Sequence, residues 1–252
     1  MSKAGDNRRA RVWIGTSGWH YKHWIGAFYP ARTTAAQMLP YYCERFDTVE
    51  LNNSFYHLPQ KAALDSWRDA TPGGFRFAAK GSRFLTHMKK LKDPEAGLAR
   101  FMDAIETLGE KLGPILFQLP PNWELDLERL RCFLQALPPH QSYAFEFRNL
   151  TWEVQPVYDL LARYNAACCL FHLAGYQSPL QLTADFAYVR LHGPGGKYQG
   201  SYSEEALGGW ARRIRNWRRQ LAEIYCYFDN DDSGYAASNA LRLKELISSS
   251  QR

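Results

Sequence analysis

With 252 residues, 46% apolar and 15% aromatic, the chain can bury a sizeable core, which excludes an intrinsically disordered protein. No apolar run approaches the roughly 20 residues that cross a bilayer and no signal-type apolar segment follows the polar start, so no membrane partner is expected and the expected location is the cytoplasm. Five cysteines without CxxC spacing argue against a disulfide framework or zinc knuckle, and a net charge of +6 is a mild bias towards anionic partners.

Residues 1–10 read as a disordered tail and 11–248 as one domain. The first β-prone run is Val12–Gly15, ending in Thr16-Ser17-Gly18. A helical stretch follows, interrupted by Pro40, so that helix either begins there or kinks. The next runs are Thr48–Asn52, Phe75–Lys80 and Ile115–Leu119. Ahead of the last lies an apolar helical face of Leu98, Phe101, Met102, Ile105, Leu108 and Leu112. Leu127, Leu130, Phe133, Leu134 and Leu137 make another face before Tyr143–Phe147. Val157, Leu160, Leu161 and Tyr164 form a shorter stripe before Ala167–His172. The stretch from His172 to Ala187 has room for only a short helix, and Ser178-Pro179 favours a loop, so this sixth crossover reads as short or degenerate. After Ala187–His192, Leu207, Trp210, Ile214, Trp217 and Leu221 recur at helical spacing. Arg212, Arg213, Arg215, Arg218 and Arg219 read as the solvated side of that helix. Ile224–Asp229 and a helix near Ala236–Leu246 close the series.

The runs start roughly 20 to 40 residues apart, the rhythm of strand–helix units. Strands alternating with helices imply a parallel sheet covered on both faces, and eight of them imply a single-domain TIM (β/α)₈ barrel. A doubly wound open sheet is the competitor, but no Gly-x-Gly-x-x-Gly follows the first strand and no nucleotide cofactor is indicated.

In such a barrel the site lies where the strands end. Those ends carry Glu50 and Asn52, Lys80, Gln118, Glu146 and Arg148, His172, Arg190 and His192, and Asp229 and Asn230. Residues two apart share a strand face, which pairs Glu50 with Asn52, Ala78 with Lys80, and Arg190 with His192. Charge inside a strand is costly unless paired or placed at a wet end, so this convergence reads as one polar pocket.

The chain resembles the YecE-like family, domain of unknown function 72, over residues 11–248. The matching residues are Gly15-Thr16-Ser17-Gly18-Trp19 with Phe28-Tyr29-Pro30, Glu50-Leu51-Asn52-Asn53-Ser54-Phe55-Tyr56, Phe77-Ala78-Ala79-Lys80 with Thr86-His87, and Gln118-Leu119-Pro120-Pro121. The second half adds Glu146-Phe147-Arg148 with Trp152, Val189-Arg190-Leu191-His192-Gly193 and Tyr227-Phe228-Asp229-Asn230-Asp231. The resemblance implies a barrel and brings no reaction with it; Pro40 departs from the uninterrupted helix it implies.

Three chemistries fit these residue types. In acid–base or imine chemistry, Lys80 among apolar walls is the base or carbonyl nucleophile, Glu50 and Glu146 flank it, and His192 is a second candidate. The plain alternative pairs Lys80 with Glu50 or Glu146. In glycosidic chemistry Glu50 and Glu146 share the work at about 5–9 Å, with Trp13, Trp19, Tyr56 and Trp152 as stacking surfaces. In metal chemistry, a hydrolase or isomerase of sugar or phosphate substrates, Glu50, Glu146, His172, His192 and Asp229 are diffuse ligand candidates for a divalent ion. Asp229–Gly234 lacks the closing Glu of a calcium loop, since Ala240 stands there, and reads as a turn before the last helix. Gly193, Gly195, Gly196 and Lys197 form an anion-binding loop or a lid.

The expected protein is thus an enzyme acting on a small polar, anionic or sugar-like metabolite. Lys80, Glu50, Glu146 and His192 are its acid–base candidates, and Asn52, Tyr56, Gln118, Arg148, Trp152, Arg190, Asp229 and Asn230 its substrate-binding candidates. A non-catalytic binder of nucleic acid or protein is the other class; basic charge permits it, but no nucleic-acid motif favours it.

Overall fold

The structure, a computed structural model, describes residues 10–249. The tail expected over 1–10 lies outside the described residues except for Ala10, which is buried and donates its N–H to the Arg218 carbonyl at 3.1 Å.

The strands are β1 (Arg11–Thr16), β2 (Thr48–Leu51), β3 (Arg76–Lys80), β4 (Leu112–Gln118), β5 (Tyr143–Glu146), β6 (Ala167–Cys168), β7 (Leu170–Leu173), β8 (Tyr176–Gln177), β9 (Phe186–Leu191) and β10 (Glu223–Phe228). They form two sheets, ordered β1-β10-β9-β7-β8 and β2-β3-β4-β5-β6. Every pairing is parallel except the β7–β8 hairpin. Only Cys169 separates β6, which pairs with β5, from β7, which pairs with β9, so one extended segment passes from one sheet to the other. At the opposite side Ser17 bridges Glu50 in parallel, and the Gly18 N–H donates to the Glu50 carbonyl at 2.9 Å. The chain is a mixed α/β fold with parallel sheets.

The helices are α1 (Ala35–Cys43), α2 (Asn53–Tyr56), α3 (Lys61–Asp69), α4 (Glu95–Ile105), α5 (Leu127–Ala136), α6 (Gln155–Arg163), α7 (Glu204–Trp217) and α8 (Tyr235–Ser249). Caps explain several starts: Asp126 accepts from the Arg129 N–H before α5, and Ser203 from the Ala206 N–H before α7. A Thr34–Gln37 capping box starts α1, so that helix begins ahead of Pro40 and carries it inside. Leu112, expected on a helix face, opens β4 instead, because the helix tightens and ends at Lys111. The sixth crossover contains the β7–β8 hairpin and no helix. None of the described helices is long and apolar enough to cross a membrane.

Period-two alternation sorts the strand residues. Ile14, Val49, Phe77, Phe117, Phe145, Val189 and Cys226 face the helices in two large clusters. Trp13, Ala78, Leu116, Ala144, Cys169, Tyr188 and Tyr225 form a third cluster between the two sheets. Trp13 stacks on Tyr225 with ring centroids 5.9 Å apart. One more step along each strand leads from this apolar layer to the polar strand ends.

Candidate active site

Arg190, two residues beyond Tyr188 on β9, is fully buried. Its Nη2 donates to Glu50 Oε1 at 2.7 Å and to Asp229 Oδ2 at 3.0 Å, and its Nη1 donates to Glu146 Oε2 at 2.8 Å. A planar guanidinium presents donors in a fixed fork, and here it serves three carboxylates from β2, β5 and the end of β10. Burial alone would lower its pKa, but the three anions overcome that and push it up. Burial likewise raises Glu146, yet Arg148 and Arg190 hold it well below the usual carboxylate range. Asp229 is also lowered, against burial, by Arg190 and His192.

Both oxygens of Glu50 have further donors. Ser17 Oγ donates to Oε1 at 2.6 Å and Tyr188 Oη to Oε2 at 2.7 Å. Arg148 Nε donates to Glu146 Oε1, and its Nη2 lies 2.9 Å from His192 Nε2. Guanidinium donors therefore face Nε2, which accepts, and we assign the imidazole proton to Nδ1, 3.0 Å from Asp229 Oδ2.

Lys80 differs from this satisfied network. It is 8% exposed, and its Nζ sits 4.5 Å from the centroid of the Phe55 ring. Among the described residues no carboxylate lies within 4.0 Å of it, so the expected alternative of a Lys80 pair with Glu50 or Glu146 is not what the structure holds. Burial, with the Arg190 charge second, lowers its pKa from 10.5 to about 8, despite the pull of Glu146, Glu50 and Asp229.

Above the network lies a cleft of about 470 Å³, walled by Lys80, Asn52, Tyr56, Asp229 and Lys197 among the expected residues. Tyr21, His23, Tyr198, Gln199, Asp231 and Asp232 join them and were not anticipated. Asp231 is pushed up to about 6 by burial, against donation from Trp24 and the charge of His23. Tyr198 covers the ring of His192 edge-on at 5.5 Å. Glu50, Glu146 and His192 are wholly buried and line none of this cleft. Gln118 is buried at the end of β4, in register with Glu146.

Several expectations need correction. Trp152 does not face the site: it is buried in the outer layer, stacked on Phe147, with Nε1 donating to the Trp123 carbonyl at 2.8 Å. Strand β5 ends at Glu146, and the chain then turns outward through a short helical turn at Leu150–Trp152. Asn230 is buried as a brace, donating to Gly200 O and Asn239 Oδ1. Gly193 has no N–H to offer an anion, because Tyr202 Oη takes it at 3.0 Å. Gly195 and Gly196 stay in the loop, where Gly196 bridges Gln199. His172, half-buried, meets Tyr202 Oη at 3.0 Å instead of the carboxylates. Among the described residues no group of three or more His, Cys, Asp or Glu side chains has a metal-holding arrangement.

Tyr188 and Ser17 were also missed as site residues. Tyr188 was legible, since it shares the face of Arg190 at i−2; Ser17 meets Glu50 only through the contact between the two sheets.

Parallel strands that deliver a charged network and an open cleft to their C-terminal ends define an α/β protein with a candidate ligand site. The chain belongs to the family described as "Protein of unknown function DUF72", whose model matches residues 13–252. It is similar to the UPF0759 protein YunF of Bacillus subtilis, 26% identical over 271 residues and covering 94% of each chain. The UPF0759 protein YecE of Escherichia coli is 27% identical over 139 residues, which cover 55% of this chain and 48% of that one. Among solved structures, a DUF72 family protein from Thermotoga maritima is 29% identical with a TM-score of 0.86, covering 94% of this chain and 99% of that one. A xylose isomerase-like TIM barrel/4-hydroxyphenylpyruvate dioxygenase fusion protein shares the fold at a TM-score of 0.50 and 12% identity, covering 95% of this chain and 43% of that one.

Proposed function

We propose that the two sheets close into one (β/α)₈ barrel and that the protein is an enzyme acting on a small, polar, oxygen-rich metabolite by acid–base chemistry at Lys80. Closure is supported by the β6–β7 segment, which pairs with both sheets, and by the Ser17–Glu50 bridge on the far side.

The observation that carries the catalytic reading is the Lys80 amine, unpaired with any described carboxylate at the wall of the cleft and lowered to about 8. At that pKa roughly a tenth of the amine is uncharged at pH 7, against less than a thousandth for an ordinary lysine. The free amine takes a proton from bound substrate, or adds to a carbonyl carbon. Asp229 and Lys197, which line the same cleft, orient polar groups of the substrate. Arg190 keeps Glu50, Glu146 and Asp229 anionic and fixed, so that their field acts on Lys80 while the protons move elsewhere.

Amine labelling with acetic anhydride across pH 6–10, read at the Lys80 peptide by mass spectrometry, tests the first element. A labelling midpoint near 8 is expected. A thermal-shift screen of phosphorylated, carboxylated and sugar-like metabolites on wild type and Lys80→Met tests the second. A ligand should raise the melting temperature of wild type but not of the variant. A midpoint at the ordinary lysine value, or no ligand acting through Lys80, defeats the reading and leaves the non-catalytic binder.

A further inference from the structure

Two polar atoms of the Lys80 cleft have no hydrogen-bond partner among the described residues. Lys80 Nζ is one, with the Phe55 ring as its neighbour. Asp229 Oδ1 is the other, because Oδ2 of the same carboxylate takes both protein donors, Arg190 Nη2 and His192 Nδ1, each at 3.0 Å. Among the described residues, the side-chain atoms that are both sealed from solvent and unpartnered are Asn52 Oδ1 and Asn230 Oδ1. Lys80 Nζ and Asp229 Oδ1 are therefore reachable, and both residues line the cleft.

The two atoms are opposite in kind. Nζ donates, or attacks as a nucleophile when uncharged, whereas Oδ1 only accepts, since Arg190 and His192 hold Asp229 ionised. Each group feels the charge of the other, yet more than 4.0 Å separates them. A small ligand with an acceptor or electrophile at one end and a donor at the other closes that gap.

The surrounding charge narrows the donor. An ammonium would stand beside the Arg190 guanidinium, whose Nη2 already sits on the same carboxylate. A carboxylate or phosphate would face Asp229, Asp231 and Asp232, all in the cleft wall. A hydroxyl donates to Oδ1 without adding charge.

We propose that the cleft takes a neutral α-hydroxy aldehyde or ketone, its carbonyl carbon at Lys80 Nζ and its hydroxyl donating to Asp229 Oδ1. Imine formation at Lys80 rests on the function proposed above. The amine nitrogen adds to the carbonyl carbon, and the carbonyl oxygen leaves as water with both amine protons. Asp229 selects and orients the hydroxyl.

Hydroxyacetone is the probe. Methoxyacetone keeps the oxygen but has no O–H, while aminoacetone and pyruvate put an ammonium or a carboxylate at that end. Each is incubated with the protein and sodium cyanoborohydride at pH 8. Hydride reduces the imine to a stable secondary amine, which is quantified by peptide mass spectrometry. Labelling at Lys80 is divided by labelling at exposed Lys92, which cancels the intrinsic reactivity of each ketone. The ratio is expected to be about tenfold higher for hydroxyacetone than for methoxyacetone, the effect of one hydrogen bond to a charged group. In Asp229→Asn the amide oxygen turns to Arg190 and His192, which both donate, and the NH2 group is left for the cleft. The preference should then vanish. Should that variant fail to fold, the wild-type series decides alone. Equal ratios for hydroxyacetone and methoxyacetone, a higher ratio for aminoacetone or pyruvate, or a preference that persists in Asp229→Asn overturns the hydroxy-carbonyl assignment and leaves the Lys80 amine standing. Labelling at Lys80 no faster than at Lys92 with every ketone defeats imine chemistry at Lys80, and this inference with it.

Discussion

Replacing Arg190 by Met removes one guanidinium and leaves Glu50, Glu146 and Asp229 without the cation that joins them. Breaking a buried ion pair by deleting one partner costs about 3–5 kcal/mol, because the charge left behind is desolvated and unpaired. Arg148 still serves Glu146, and Ser17 and Tyr188 still serve Glu50, so this range applies to the cluster as a whole and not to each carboxylate. In a chain of this size each kcal/mol moves the melting temperature by about 2–4 °C, so a fall of roughly 6–20 °C is expected at pH 8. The pH dependence has a definite sign. In the native protein Glu146 and Asp229 have depressed pKa values, so their contribution is present above the ordinary carboxylate range and is lost as pH falls through the depressed values. Without Arg190, burial pushes these groups the other way, and the variant loses stability as pH rises. Circular-dichroism melts of both proteins from pH 5 to pH 8 should therefore show a gap that widens with pH. A gap under about 2 °C at pH 8, or one that widens towards pH 5, would refute the charge-cluster account.

Other perturbations probe the same architecture. Lys80→Met should stabilise the protein at pH 7: a pKa lowered from 10.5 to about 8 reflects up to roughly 3 kcal/mol of penalty on the buried ammonium. That penalty is fully present below about pH 8 and fades as pH rises towards 10.5, so the gain in melting temperature should shrink over that window. Tyr188→Phe strips Glu50 Oε2 of its 2.7 Å donor and should cost about 1.5–3 kcal/mol in chemical denaturation, with the fold retained. Gly193→Ala should cost at least about 1–3 kcal/mol, since φ is +109° and a Cβ would stand 2.2 Å from the Gln199 carbonyl oxygen. An alanine variant as stable as wild type in the same denaturation assay contradicts that loop geometry.

Much of the chain was legible because local physics wrote it. Alternation in Phe77-Ala78-Ala79-Lys80 and in Val189-Arg190-Leu191-His192 placed one set of side chains towards the helices and the other between the sheets, where the structure has them. Helical stripes such as Leu98, Phe101, Met102 and Ile105 followed from the 3.6-residue period and became α4. The gathering of charge at the strand ends could be read as well, since burying charge anywhere else is costly.

What the sequence by itself determined, then, is the order of strands and helices and which residues share a face, because both depend on neighbours a few positions apart. Only the tertiary structure decided that Arg190 takes three carboxylates from different strands while Lys80 takes none among the described residues. It also turned Trp152 and Asn230 away from the cleft, brought Tyr198 and Asp231 to it, and left Asn52 Oδ1 without a donor. The reason is physical: hydrogen bonds between residues 140 positions apart, such as Arg190 to Glu50, depend on how the sheets meet. No local pattern of residue types encodes which of several chemically equivalent partners lies within 3 Å.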